Sequence, residues 1–250
     1  MCTALVSIDP SSPVPVLLCG VRDEFLARPW RPPAAHWPDR PAILGGQDIQ
    51  AGGTWLAVDP AQRRVAALLN AFGPHVAPAT RISRGGLPLA FAPPAAADLP
   101  HYDPFHLLVG SLAGVHMWTW DGTTLSAQDL GPGLHIVVNS GLEGAGPHAG
   151  APPQAVEDIN ARLAYFRPRL LAARRPVPAD ESTVDAWGPW LPLLAGDQLS
   201  PADPQALVVR RDFGEHGIWG TNSISLVGLA PDRVRYDFAA IPSLDWQRIL

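Results

Sequence analysis

The chain contains no lysine: all 18 of its basic residues are arginine. That absence excludes Schiff-base chemistry on a lysine amine. Only two cysteines occur, Cys2 and Cys19, too few for a disulfide framework, so a reducing cytoplasm is the default compartment. No apolar run approaches the ~20 residues that span a bilayer. No basic segment followed by an apolar stretch opens the chain, so secretion is not indicated. A net charge of −5 without a basic cluster argues against a nucleic-acid partner. The eight histidines lack metal-ligand spacing. No glycine-rich loop stands before a helix to hold a phosphate. Neither a metal nor another cofactor is therefore expected.

What the chain has in quantity is proline (29), glycine (23) and alanine, a composition that suggests a GC-rich bacterial coding genome. Its 250 residues suit one domain over 1–250, with no repeat and no linker. Strand-like runs come first. Thr3–Ile8 and Val14–Gly20 flank the turn Asp9–Pro13, and Arg28–Pro33 reads as a connector without regular structure. Gly52–Val58 enters a strand through paired glycines, where a second backbone could pass close by. It precedes Arg64–Asn70. A short helix is expected near 86–92, then strands at Phe105–Gly110, Val115–Trp120, Thr123–Asp129 and Leu134–Gly141, with Asp121-Gly122 as a tight turn. Gly144–Pro153 reads as a loop. Helix-spaced apolar residues (Val156, Ile159, Leu163, Phe166, Leu170) predict a helix over Gln154–Arg174, kinked or split at Pro168. A second, shorter helix interrupted by Pro189 and Pro192 is expected over Val184–Ala195, then strands at Leu207–Phe213, Ile218–Val227 and Val234–Ile241. Hairpins, helices and hairpins again make an α+β fold with layered antiparallel sheets.

Cys2 carries the chemistry. Trimming of Met1 would leave a residue with both a thiol and a free α-amine, a nucleophile and a base together. An α-amine with pKa ~7.7–8.0 is partly free base near neutrality. Pairing of the first two strands about their turn sets Ile8 near Val14 and Cys2 near Gly20, with Arg22, Asp23 and Glu24 beside the thiol. Arg22 is expected to lower the thiol pKa from its free value of ~8.5, and Asp23 to orient the α-amine. Asn70, at a strand end, is a candidate oxyanion donor worth ~3 kcal/mol. Asn139 ends another strand and is a candidate for positioning a substrate carbonyl. Glu24 reads as a solvated charge or structural partner. Cys19 falls near Cys2 in this register, which leaves a thiol pair conceivable beside the reading of a packed core cysteine. Trp187, Trp190 and Trp219 read as core or pocket lining.

In order along the chain, Met1-Cys2, Val21-Arg22-Asp23-Glu24-Phe25, Arg28-Pro29, Gly52-Gly53-Thr54-Trp55-Leu56, Ala67-Leu68-Leu69-Asn70, Ser83-Arg84-Gly85, Phe105–Gly110, Gly133–Leu142 and Gly220-Thr221 resemble the blocks of the NRDE family. It is also called the transport and Golgi organisation 2 family. The sequence departs from that pattern at Val21, where the family has asparagine, and in the order Asn139-Ser140-Gly141. Asn222 stands where an arginine is common, which weakens an anion-recognition role there. The family is related to the N-terminal-nucleophile hydrolases of the penicillin V acylase and bile-salt hydrolase type. The resemblance implies a four-layer αββα sandwich, a mature chain beginning at Cys2, and roles for Cys2, Arg22, Asp23, Asn70 and Asn139. It implies an amidohydrolase acting on a small linear amide through a thioester. The alternative is a non-catalytic carrier on the same fold that handles haem or lipid.

Overall fold

The computed structural model describes residues 2–146 and 148–250. In chain order the elements are β1 (Thr3–Ile8), β2 (Val16–Phe25), β3 (Trp30–Ala34), β4 (Leu44–Asp48), β5 (Leu56–Asp59), β6 (Arg64–Asn70), α1 (Leu87–Ala90), β7 (Phe105–Ser111), β8 (Gly114–Trp120), β9 (Leu125–Leu130), β10 (Gly133–Val138), β11 (Gly141–Leu142), α2 (Pro153–Ala172), α3 (Thr183–Trp187), α4 (Trp190–Leu194), β12 (Arg210–Asp212), β13 (Ile218–Leu229), β14 (Val234–Ala240) and β15 (Gln247–Arg248). They form two antiparallel sheets. One runs β11-β10-β1-β2-β13-β14-β15 with β12 on β13, and the other runs β3 to β9 in sequence order.

Period-2 alternation explains why β1 is buried along its whole length. Ala4, Val6 and Ile8 join Val16 and Leu18 against Leu56, Val58, Val65, Ala67 and Leu108 of the second sheet. On its other face Leu5 joins Cys19 and Val21 against Ile159, Phe166 and Leu170 of α2 and Trp187, Trp190 and Leu194 of α3 and α4. Each valine, leucine, isoleucine and phenylalanine among them contributes ~1.5–3 kcal/mol by leaving water. The helix-facing side of β1 also carries Thr3 and Ser7, and each meets an arginine: Arg162 Nη1 donates to Thr3 Oγ1 at 2.9 Å, and Arg175 Nε to Ser7 Oγ at 2.8 Å. The outer face of the second sheet packs Ala57, Ala66, Phe105 and Leu107 under Trp37, Ile43, Leu87, Leu89 and Phe91. The layers are thus helices, sheet, sheet, and a thin cover in which α1 is a four-residue helix.

The first hairpin is shifted by two residues from the expected register. Ile8 pairs with Val16 and Thr3 with Val21, so the next step sets Cys2 opposite Arg22 rather than Gly20. The turn is longer because Pro13 and Pro15 have no N–H to give to a ladder. Asp9 closes it instead, its N–H donating to Pro15 O at 2.8 Å and its carboxylate accepting from Ser11 N and Oγ. The shift also settles Cys19. It pairs with Leu5, on the face opposite Cys2, and is fully buried, so the two thiols do not meet.

Other expectations were corrected. Trp30–Ala34, which overlaps the presumed connector, is an edge strand paired with β4, where its prolines lose no inner ladder bond. Helix α2 runs unbroken through Pro168, and α4 runs through Pro192, whereas the expected interruption at Pro189 is present, with Gly188-Pro189 dividing α3 from α4. The Asp121 turn spans four residues, because the Asp121 carboxylate gathers the N–H groups of Thr123 and Thr124, both at 2.7 Å. Only Arg210–Asp212 of the expected Leu207–Phe213 strand pairs. The close approach at the paired glycines is real: a Cβ on Gly53 would lie 2.4 Å from the Gly85 carbonyl. The expected Gly144–Pro153 loop includes Pro147, and trimming concerns Met1; both residues lie outside the described ones.

Candidate active site

Antiparallel pairing puts the start of β1, the ends of β2, β4, β6 and β10 and the entry to β5 at one end of the sandwich. A cavity of about 450 Å³ opens there. Cys2, Arg22, Asp23 and Asn70 all line it. Asn139 does not. It is buried behind Asn70, and its Nδ2 donates to the Asn70 carbonyl at 2.6 Å, while Phe72 N–H donates to Asn139 O at 3.2 Å.

The partly exposed Cys2 thiol donates to the backbone carbonyl of Asp23 at 3.5 Å. Burial pushes its pKa up, and the Asp23 charge adds to this, while Arg22 works in the opposite direction with a smaller effect. Arg22 thus acts in the expected direction, but the net shift of the thiol is upward. The cation is present, but desolvation of the sulfur outweighs it.

Arg22 is itself buried. Its guanidinium lies 4.3 Å from the centre of the Trp55 ring, with Nη2 3.5 Å from Asp48 and 3.8 Å from Glu24. Among the described residues its Nη1 has no hydrogen-bond partner. Burial lowers its pKa, opposed by Cys2, Glu24 and Asp48. A guanidinium remains protonated under such conditions. Asp48 serves a second arginine, accepting from Arg28 Nε at 2.6 Å. Glu24 is thus a structural partner at the cavity rather than a fully solvated charge.

Asp23 sits at zero side-chain exposure. Thr221 Oγ1 donates to its Oδ1 at 2.6 Å, and Arg162 Nη1 lies 4.0 Å from Oδ2. Thr221 is placed by β13, which pairs with β2 through a bulge at Asn222; Asn222 is buried and does not line the cavity. Sequence reasoning missed Arg162. A signal was present: it lies on the same helical face as Ile159 and Phe166, an arginine in an apolar stripe. Its Nε is also bound, donating to Ala206 O at 2.9 Å.

The opposite wall comes from the segment 83–86. Ser83 Oγ accepts from Gly85 N–H, and Thr54 N–H donates to Gly85 O at 2.9 Å, which pins Arg84 and Gly85 against the β5 entry. Behind Asn139, His106 is buried between Thr119 Oγ1 at 2.9 Å and Asn139 O at 3.2 Å. Burial lowers its pKa to about 4, so it is neutral at physiological pH. Trp187 and Trp190 are core residues, whereas Trp219 stands edge-on to Phe25. Among the described residues no group of three His, Cys, Asp or Glu could hold a metal ion, and no helix is long and apolar enough to cross a membrane.

A family model for Transport and Golgi organisation 2 matches residues 1–162, from β1 into α2. The fold is similar to that of penicillin V acylase from Agrobacterium tumefaciens, with a TM-score of 0.51 and 12% identity over 99% of this chain and 86% of that one. At that identity the likeness is one of fold. No curated protein matches the chain.

Proposed function

The chain belongs to the Transport and Golgi organisation 2 family, and from that premise we propose that it is an N-terminal-cysteine amidohydrolase acting on a linear amide through a thioester. The observation that carries this reading is the position of the Cys2 thiol, in a cavity shared with Arg22, Asp23 and Asn70. The reading requires a free α-amine on Cys2. Because burial raises the thiol pKa, Arg22 alone does not generate the thiolate, and the amine takes the proton.

The thiolate then attacks the amide carbon, and Asn70 donates to the developing oxyanion. The amine leaves with the proton held by the Cys2 α-ammonium. Water, deprotonated by the same amine, cleaves the thioester and restores the thiol. Asp23 orients the α-amine, held by Thr221 and facing Arg162. Asn139 acts one step back, fixing the backbone of Asn70. A carrier for an apolar or tetrapyrrole ligand is less well supported, because four arginines and four carboxylates line the cavity.

Hydrolysis of a panel of N-acyl p-nitroanilides by the wild type and by Cys2→Ala tests the reading. Turnover by the first and none by an equally folded second is expected. Equal turnover, or none by either across the panel, overturns it.

A further inference from the structure

Four arginines line the cavity, and three of them have a carboxylate within ion-pair distance. Arg22 has Asp48 and Glu24, Arg28 has Asp48 at 2.6 Å, and Arg81 has Asp103 at 3.1 Å. Arg84 has none among the described residues. Its Nη1 donates to the carbonyl of Pro104 at 2.7 Å; burial lowers its pKa, opposed first by the charge of Asp103 and then by those of Cys2 and Glu24. Its backbone is fixed by Gly85 against Gly53 and Thr54. A cation held at both its backbone and one nitrogen, facing a cavity with no described carboxylate in ion-pair contact with it, is preorganised for a ligand anion. Arg22 Nη1, buried without a partner among the described residues, adds a second unfilled donor in the same cavity.

We infer that Arg84 is the specificity-determining residue of this site and that the substrate is an amide bearing one carboxylate. The inference rests on the amidohydrolase reading and names its substrate class. A single negative charge is favoured over a doubly charged phosphoryl group. Arg22, Arg28 and Arg81 already face Glu24, Asp48 and Asp103, which leaves the single charge of the Arg84 guanidinium to be matched, and one carboxylate matches it. The planar guanidinium also matches a carboxylate with two parallel hydrogen bonds.

Binding to the full-length Cys2→Ala protein tests this without turnover. The probes are N-hexanoylglycine and N-hexylsuccinamate, each beside its neutral primary-amide twin, and the phosphonate analogue of the first. At least one acid is expected to bind about tenfold or more tightly than its twin, the size of a charge-assisted hydrogen bond. Arg84→Gln should erase that difference, lowering the acid's affinity more than the neutral twin's, and Arg84→Lys should restore part of it. Equal binding of acids and twins, no binding of either acid, a preference for the phosphonate, or retention of the preference in a folded Arg84→Gln protein would overturn the assignment. Since no chemistry occurs in Cys2→Ala, a failure of the hydrolase reading would appear separately, as absent wild-type turnover with the charge preference intact.

Discussion

Arg162 Nη1 lies 4.0 Å from Asp23 Oδ2, and both side chains are almost wholly removed from water. The arginine comes from α2 and reaches through the helix-facing side of β1 to a carboxylate beside the thiol. Burial lowers the Arg162 pKa, and Asp23 is the first of the charges that oppose this. Removing one member of such a buried pair is costly. Arg162→Met should lower stability by ~3 kcal/mol, measured as the change in urea midpoint. A loss below ~1 kcal/mol would show that the pair is not coupled as described.

His106 gives a pH signature with a defined sign. Its folded pKa of about 4 lies below the free value of 6.5, so the unfolded chain binds the proton more readily. Stability is therefore fully present above pH ~6.5 and is lost as pH falls towards ~4. The gap corresponds to about 3 kcal/mol at ~1.4 kcal/mol per unit. Urea unfolding at pH 7 and pH 4.5 should show a larger acid loss in the wild type than in His106→Gln, and equal losses would contradict the placement of His106.

The two thiols should differ in reactivity. Cys19 is fully buried and its pKa is pushed up by that burial, whereas Cys2 is partly exposed at the cavity. Iodoacetamide on the native protein is expected to label Cys2 alone, and peptide mapping showing Cys19 modified at a similar rate would contradict the assigned faces of β1 and β2.

The two asparagines should separate by magnitude. If Asn70 donates to the oxyanion, Asn70→Ala lowers kcat by ~10²-fold or more. Asn139→Ala removes only the support of the Asn70 carbonyl, so a smaller loss of ~10-fold is expected. Equal, negligible effects on p-nitroanilide turnover would remove both from the mechanism.

Much of this arrangement was legible in the sequence. Alternation and turn residues located most strands, and the pairing of β1 with β2 brought Arg22 and Asp23 to Cys2. The two-residue register shift was not legible, since it depends on how Asp9 caps the turn and on Arg175, which donates from Nη2 to Val14 O at 2.8 Å. Trp30–Ala34 was hidden because proline obscures an edge strand. Asp48, Arg84 and Arg162 were missed as site residues because each arrives from a separate element. Only the folded sheet order, in which β1 and β6 face each other, makes them neighbours. The upward net shift of the Cys2 thiol has the same origin, because burial of the sulfur is a property of the layers and not of the motif.

On the proposed mechanism Cys2, with its own amine free, forms the acyl intermediate. Intact mass spectrometry after brief exposure to p-nitrophenyl hexanoate and acid quench tests it directly. The expected product is a chain beginning at Cys2 that carries one hexanoyl group, labile to hydroxylamine and absent from Cys2→Ala. A chain that retains Met1, or an adduct that persists in Cys2→Ala, would contradict it.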